Sequence, residues 1–155
     1  APCFASPIKL SPCSFLVSTV NGKYMSFDID GILLFEGSLG SPIFQTPSFF
    51  VDSINGPNCI ISSQDSLVVI NANSGVVLKT IKLTHPLNGS FCFMAKEGSI
   101  TAWNIQNEYL VNIDLSTLIL KKTINVGETF SSPVTNGNYI CLGNRNDQLV
   151  CVQIF

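Results

Sequence analysis

Four hydroxyl side chains, Ser6, Thr46, Ser90 and Ser132, recur at what reads as one repeated position of a 155-residue chain, and they are the first candidates for chemistry. In a ring lining a channel they would offer a polar ligand both donors and acceptors. At the entry to a strand, a hydroxyl has the simpler use of bonding nearby backbone, and that is the expectation here. Asp28, Asn71 and Asp114 recur 43 residues apart, each ending a short apolar run. Such side chains suit a hard cation, but at strand ends they are expected to form Asx turns, where a short polar side chain mimics a backbone turn. His85, the sole histidine, precedes Pro86 and has no Cys or Ser near it in a nucleophile pattern, so an exposed loop residue is expected. No catalytic, cofactor-binding or metal-binding residue is assigned, and the four hydroxyls stand as a tentative channel-lining polar ring.

The elements that must position these residues follow from a repeat. Phe4-Ala5-Ser6-Pro7, Phe44-Gln45-Thr46-Pro47 and Phe130-Ser131-Ser132-Pro133 share one pattern, and Leu87-Asn88-Gly89-Ser90 fills the gap, giving steps of 40, 43 and 43 residues. That is the period of a four-stranded propeller blade. Short runs rich in Val, Ile, Phe and Tyr are broken by Asn21-Gly22, Asp30-Gly31, Asn55-Gly56, Ser74-Gly75 and Asn136-Gly137, the dipeptides of tight hairpins. The pattern predicts strands at 4–10, 14–20, 23–29 and 32–38, then 43–51, 58–63, 66–72 and 76–83, then 87–95, 98–105, 108–114 and 118–125. A fourth repeat supplies only three, near 130–135, 138–143 and 148–154. The fold class is therefore all-β, a propeller-type array of about four antiparallel blades (about 4–40, 41–85, 86–127 and 128–155) whose last blade lacks its outer strand. The whole is read as one repeat domain, the C-terminal part of a larger ring.

Composition points the same way. Only 12% of residues are charged and 46% are apolar, against about 25% charged in an average soluble domain. End blades that bury their faces against neighbours account for this excess, because each repeat needs the next to cover it. The edge carrying Val150, Val152 and Ile154 calls for a further strand, which is expected from upstream sequence or a second copy. The absence of an initiator Met fits a processed or excised segment. Eight basic residues and a net charge of −2 argue against a nucleic-acid groove. The six cysteines form no CxxC pair. Cys59, Cys92, Cys141 and Cys151 lie in strands and are expected as small apolar thiols, with Cys3 and Cys13 the pair best placed for any disulfide. A reducing, cytoplasmic setting is the corresponding expectation.

Phe130-Ser131-Ser132-Pro133-Val134, Tyr139-Ile140-Cys141-Leu142-Gly143 and Asp147-Gln148-Leu149-Val150-Cys151 together resemble the PQQ-like (quinoprotein-like) repeat. Asn21-Gly22-Lys23-Tyr24 and Asp28-Ile29-Asp30-Gly31 repeat the scheme. Gly127-Glu128-Thr129 leading into Phe130-Ser131-Ser132-Pro133 is similar to the C-terminal propeller of β-alanine-activating, aminoadipate-semialdehyde-dehydrogenase-like enzymes. That resemblance implies a non-catalytic scaffold or interaction module of an acyl-activating enzyme, whose adenylating and carrier residues have no counterpart here. The third repeat departs from the pattern by lacking the Phe and Pro of the opening, and Leu78 and Leu120 replace the aromatic seen at Phe35.

The repeat's namesake implies an alternative, a quinone-dependent oxidoreductase. The clamp of such enzymes needs adjacent cysteines and clustered carboxylates. The chain has one tryptophan, Trp103, no adjacent cysteines, and no carboxylate cluster beyond Asp28 with Asp30. Trp103 is expected to pack between blades. A self-assembling propeller is a third possibility. The partners expected are other blades or domains of a parent chain, a second copy, or another protein, with no membrane span.

Overall fold

The computed structural model describes residues 1–96 and 99–154. It contains four antiparallel sheets. The first blade orders β1 (Ile8–Ser11), β2 (Ser14–Ser18), β3 (Lys23–Asp28) and β4 (Leu33–Ser38) side by side, and the second orders β5 (Ser48–Asp52), β6 (Gly56–Ser62), β7 (Ser66–Asn71) and β8 (Val77–Lys82). The third comprises β9 (Leu87–Lys96), β10 (Ser99–Gln106), β11 (Tyr109–Asp114) and β12 (Leu120–Asn125), and the fourth β13 (Val134–Thr135), β14 (Tyr139–Gly143) and β15 (Leu149–Gln153). Among the described residues the fourth blade thus ends on β15, as the truncated repeat predicted. The expected start of a strand at Gly98 lies outside the described residues, as does Phe155.

First strands begin later than the repeat suggested in three blades. β1, β5 and β13 start just after Pro7, Pro47 and Pro133 rather than at positions 4, 43 and 130. Proline offers no N–H to a ladder, so pairing starts beyond it. The third blade's opening motif has no Pro after its start, and β9 begins at Leu87, directly after Pro86.

Two compact units, 1–86 and 87–155, each hold two blades. In the first unit Leu16, Tyr24, Ile43, Cys59, Ile61, Val68 and Ile70 form a core, with Phe35 packed at its margin. In the second, Met94, Trp103, Ile105, Leu110, Val126, Ile140 and Leu142 form another, flanked by Val150, Val152 and Ile154. Central strands are apolar on both faces, as in Cys59-Ile60-Ile61 and Leu67-Val68-Val69-Ile70, all buried. Outer strands are largely exposed and carry charge: Glu36 on β4, Lys79 and Lys82 on β8, and Lys121 and Lys122 on β12. Charge on an outer strand blunts edge-to-edge pairing. β15, reading Leu-Val-Cys-Val-Gln, carries none.

Candidate binding cleft in the third and fourth blades

The four predicted hydroxyls divide into two kinds. Thr46 Oγ1 accepts the backbone N–H of Ser6 at 3.0 Å, and Ser132 Oγ accepts that of Ser90 at 2.8 Å. In each pair the later blade's hydroxyl therefore ties down the earlier blade's backbone. Ser6 and Ser90 contribute an amide to these bonds rather than a hydroxyl. Ser90 holds this place through a bulge. Counting 43 residues from Thr46 lands on Gly89, not Ser90. Between the pairs Trp103–Cys92 and Ile105–Asn88 the register of β9 slips, and Gly89 adopts φ +79°. A Cβ there would lie 2.8 Å from Ser132 Oγ, so glycine is needed both for the turn and for the approach of the fourth blade's entry segment. The buried Asn104, which sequence reasoning missed, serves this bulge: its amide donates to Gly89 O at 3.2 Å and its Oδ1 accepts Ile105 N–H at 2.6 Å.

The Asx positions are turn residues. Asp28 Oδ1 accepts the N–H groups of Asp30 and Ile32, Asn71 Oδ1 those of Asn73 and Ser74, and Asp114 Oδ1 those of Ser116 and Thr117. These turns need a left-handed residue, supplied by Gly31, Gly75 and, in the third blade, Leu118 at φ 56°. His85 is exposed, with Nδ1 3.2 Å from Thr84 Oγ1. Among the described residues no three His, Cys, Asp or Glu side chains group closely enough to hold a metal ion.

The cysteine expectation needs correction. Cys141 and Cys151 are directly opposed on β14 and β15 and form a disulfide, while Cys3 and Cys13 are exposed free thiols. The two disulfide partners are equidistant from the turn at 144–148, so antiparallel pairing brings them together whatever their sequence spacing. Cys59 is a buried thiol as expected, and burial pushes it up to about 12. Cys92, half-buried, is pushed up to about 11 for the same reason. With Cys141 and Cys151 joined, the argument from thiols to a reducing compartment loses that support.

One concave site stands out in the second unit. It is a cleft of about 380 Å³ over a single face of the third blade, lined by Met94 and Lys96 of β9, Ser99, Thr101 and Trp103 of β10, Asn112 of β11, and Lys121 and Thr123 of β12. Cross-strand pairs Lys96–Ser99, Met94–Thr101, Trp103–Asn112 and Asn112–Lys121 put these side chains on one face. Ile154, just past β15, closes one wall. Among the described residues that line the cleft, two carry ammonium groups and none a carboxylate. Its hydroxyl protons are spent on backbone: Ser99 Oγ donates to Lys96 O at 2.9 Å and Thr123 Oγ1 to Leu110 O at 2.8 Å. Trp103 is buried as expected, yet its indole N–H has no hydrogen-bond partner. Tryptophan can only donate, so this group calls for an acceptor. On the polar loop after β14, Arg145 pairs with Glu128 at 2.9 Å and lies over the ring of Phe130 at 5.2 Å.

The architecture has solved counterparts. BamB from Moraxella catarrhalis superposes with a TM-score of 0.74 at 11% identity, over 96% of this chain and 44% of its own. The computationally designed Ika4 protein gives a TM-score of 0.70 at 12% identity, over 97% of this chain and 92% of its own. The fold is that of a β-propeller. The chain thus spans less than half the length of BamB. No family model matches the sequence, and no curated protein does.

Proposed function

We propose that this chain is a non-catalytic propeller scaffold that docks partners by accepting a β-strand along β15. One observation carries the reading. The outer strands of the first three blades each bear charge, whereas β15, the outermost strand of the fourth blade among the described residues, has none. Uncharged edges recruit strands, and evolution normally blunts them. The disulfide to β14 holds β15 as a fixed template, and Val134, Tyr139 and Leu149 leave the same face of this blade exposed and apolar.

The propeller neighbours support a scaffold or interaction role. The resemblance of the repeats to PQQ-like blades, and of 127–133 to the acyl-activating enzymes, supports a place in a larger adenylate-forming protein whose chemistry resides in other domains. In that setting the strand comes from elsewhere in the parent chain or from a partner.

The test uses light scattering on the wild type and on Leu149→Lys, which charges the edge at a residue that is 77% exposed. The wild type is expected to exceed its 16.8 kDa monomer mass as concentration rises. Leu149→Lys should return it toward monomer with an unchanged urea midpoint. A wild type that stays monomeric and takes up no strand-forming peptide overturns the reading.

A further inference from the structure

We infer that the Cys141–Cys151 disulfide is a site of thiol–disulfide exchange with a dithiol reductant, and that its reduction weakens strand acceptance along β15. The inference rests on the strand-acceptor reading above and names the regulation of that edge. Its basis is the phase of the hydrogen-bond ladder. In the β14–β15 hairpin, Asn144 N–H donates to Gln148 O and Ile154 N–H to Asn138 O. Bonded pairs therefore fall at 138–154, 140–152, 142–150 and 144–148, and the pairs between them, Cys141–Cys151 and Gly143–Leu149, exchange no backbone bonds. The 4.2 Å between the Cα atoms of Cys141 and Cys151 is the close spacing of such a pair. On β15, Leu149 and Cys151 consequently turn their N–H and C=O groups away from β14, toward the edge where an added strand bonds. The disulfide thus fixes one of the residues whose backbone an incoming strand must meet.

The bond is also within reach of a reductant. Cys151 is exposed and Cys141 half-buried, on the face that Val134, Tyr139 and Leu149 leave open. Exposed disulfides are the labile ones, because the attacking thiolate must approach a sulfur directly. A thiolate of the reductant attacks Cys151 Sγ and forms a mixed disulfide as the Cys141–Cys151 bond breaks; Cys141 leaves with the bonding pair and takes up a proton. The reductant's second thiolate then displaces Cys151, which is protonated in turn, and the dithiol departs as a disulfide after supplying two electrons. Two thiols need a van der Waals gap where a disulfide holds a bond, so the pair must part or swivel. The rest of β15 stays anchored: Val150, Val152 and Ile154 pack on the second unit's core, and Asn144 Oδ1 accepts the N–H groups of Asn146 and Gln148 in the turn. Reduction therefore frees the backbone at Cys151 without melting the blade. An incoming strand must then order it again, which corresponds to about ten-fold in affinity.

The test blocks the free thiols of the whole oxidised chain with iodoacetamide, adds dithiothreitol without denaturant, and marks newly opened thiols with N-ethylmaleimide. In parallel, a fluorescent short peptide of alternating Val and Thr, with a Lys at each end, is titrated against the unmarked chain with and without dithiothreitol. Cys141 and Cys151 are expected to take the label with the far-UV circular dichroism unchanged, and the peptide to bind about ten-fold more weakly in reductant. The double variant Cys141→Val with Cys151→Val should bind as weakly as the reduced chain and ignore dithiothreitol. A disulfide that opens only in denaturant overturns the exchange site. Equal binding by oxidised and reduced chains overturns the regulation and leaves strand addition standing, whereas binding by neither overturns strand addition and this inference with it. If reduction unfolds the chain, the Val pair decides: a folded variant with weakened binding supports the inference, and one that binds like the oxidised wild type, or that also unfolds, overturns it.

Discussion

Substituting Gly75 by alanine tests whether the first two blades are held in register by an aromatic ring seated on a glycine. Gly75 closes the Asx turn of Asn71 at φ +72°, where an L side chain costs about 1–2 kcal/mol. A Cβ added there lies 2.6 Å from Phe35 Cγ and 3.0 Å from Cε2, well inside the 3.5–4.0 Å of ordinary carbon contact. Phe35 sits at the margin of the first unit's core, so the ring must give way, adding about 1–3 kcal/mol for overpacking. Gly75→Ala should therefore cost about 2–5 kcal/mol in urea unfolding followed by far-UV circular dichroism. Phe35→Leu removes the obstructing ring. In that background Gly75→Ala should cost only the backbone part, so the double-mutant cycle should show about 1–3 kcal/mol of coupling. A single-variant cost below about 1 kcal/mol, or additivity within about 0.5 kcal/mol, refutes the reasoning.

Three further outcomes follow from the same structure. Thr46→Val and Ser132→Ala each remove an acceptor for a neighbouring blade's amide and should cost about 0.5–1.5 kcal/mol, whereas Ser6→Ala and Ser90→Ala should stay within about 0.5 kcal/mol; equal losses at all four, measured by urea titration, would restore an equivalent hydroxyl ring. Reduction of Cys141–Cys151, which closes a separation of 10 residues, should lower stability reported by Trp103 fluorescence by about 2.7 kcal/mol from loop entropy, and an unchanged midpoint in reductant would contradict it. Burial raises the Cys59 thiol from 9.0 to about 12, so its contribution is complete below pH 9 and is lost as pH climbs from 9 toward 12, at up to about 1.4 kcal/mol per unit. Cys59→Ala should flatten that alkaline slope, and native-state alkylation should label Cys3 and Cys13 but spare Cys59.

What the sequence made legible was local and repeated. The 43-residue spacing of Asp28, Asn71 and Asp114 needs only a turn of a few residues to express itself, and each of these side chains caps that turn. Features set by pairing between distant segments were harder to read. Cys141 and Cys151 were each placed in the correct strand, yet their union depends on register across the turn, and counting outward from that turn was the available signal. The bulge at Gly89 was hidden because it shifts Ser90 into a position the repeat assigns to its predecessor, so alignment by residue type passed over it. The cleft had no motif at all. Its residues come from every strand of the third blade at alternate positions, and only pairing puts them on one face.

The third blade is where local rules and observed structure part company most often, and it is also the blade that carries the cleft. Its opening motif has lost Phe and Pro, its first strand bulges at Gly89, Leu118 holds a left-handed turn that glycine fills in the first two blades, and Trp103 is buried with an indole N–H unanswered. Sequences tend to depart from local consistency where function exacts it. A repeat under pressure only to pack would have kept the pattern of its neighbours, since a Leu at φ 56° and an unanswered donor both cost stability. Conversion toward the pattern is thus informative. Trp103→Phe removes the orphan donor while keeping an aromatic in the core, and should leave stability level or slightly improved, because replacing an unsatisfied buried polar group with an apolar one of similar shape is near neutral. If the indole N–H instead serves the fold, the same change should destabilise the chain by the roughly 1–3 kcal/mol of a lost buried hydrogen bond. The departures of this blade would then be structural compensation, and the cleft would lose its claim to be a site.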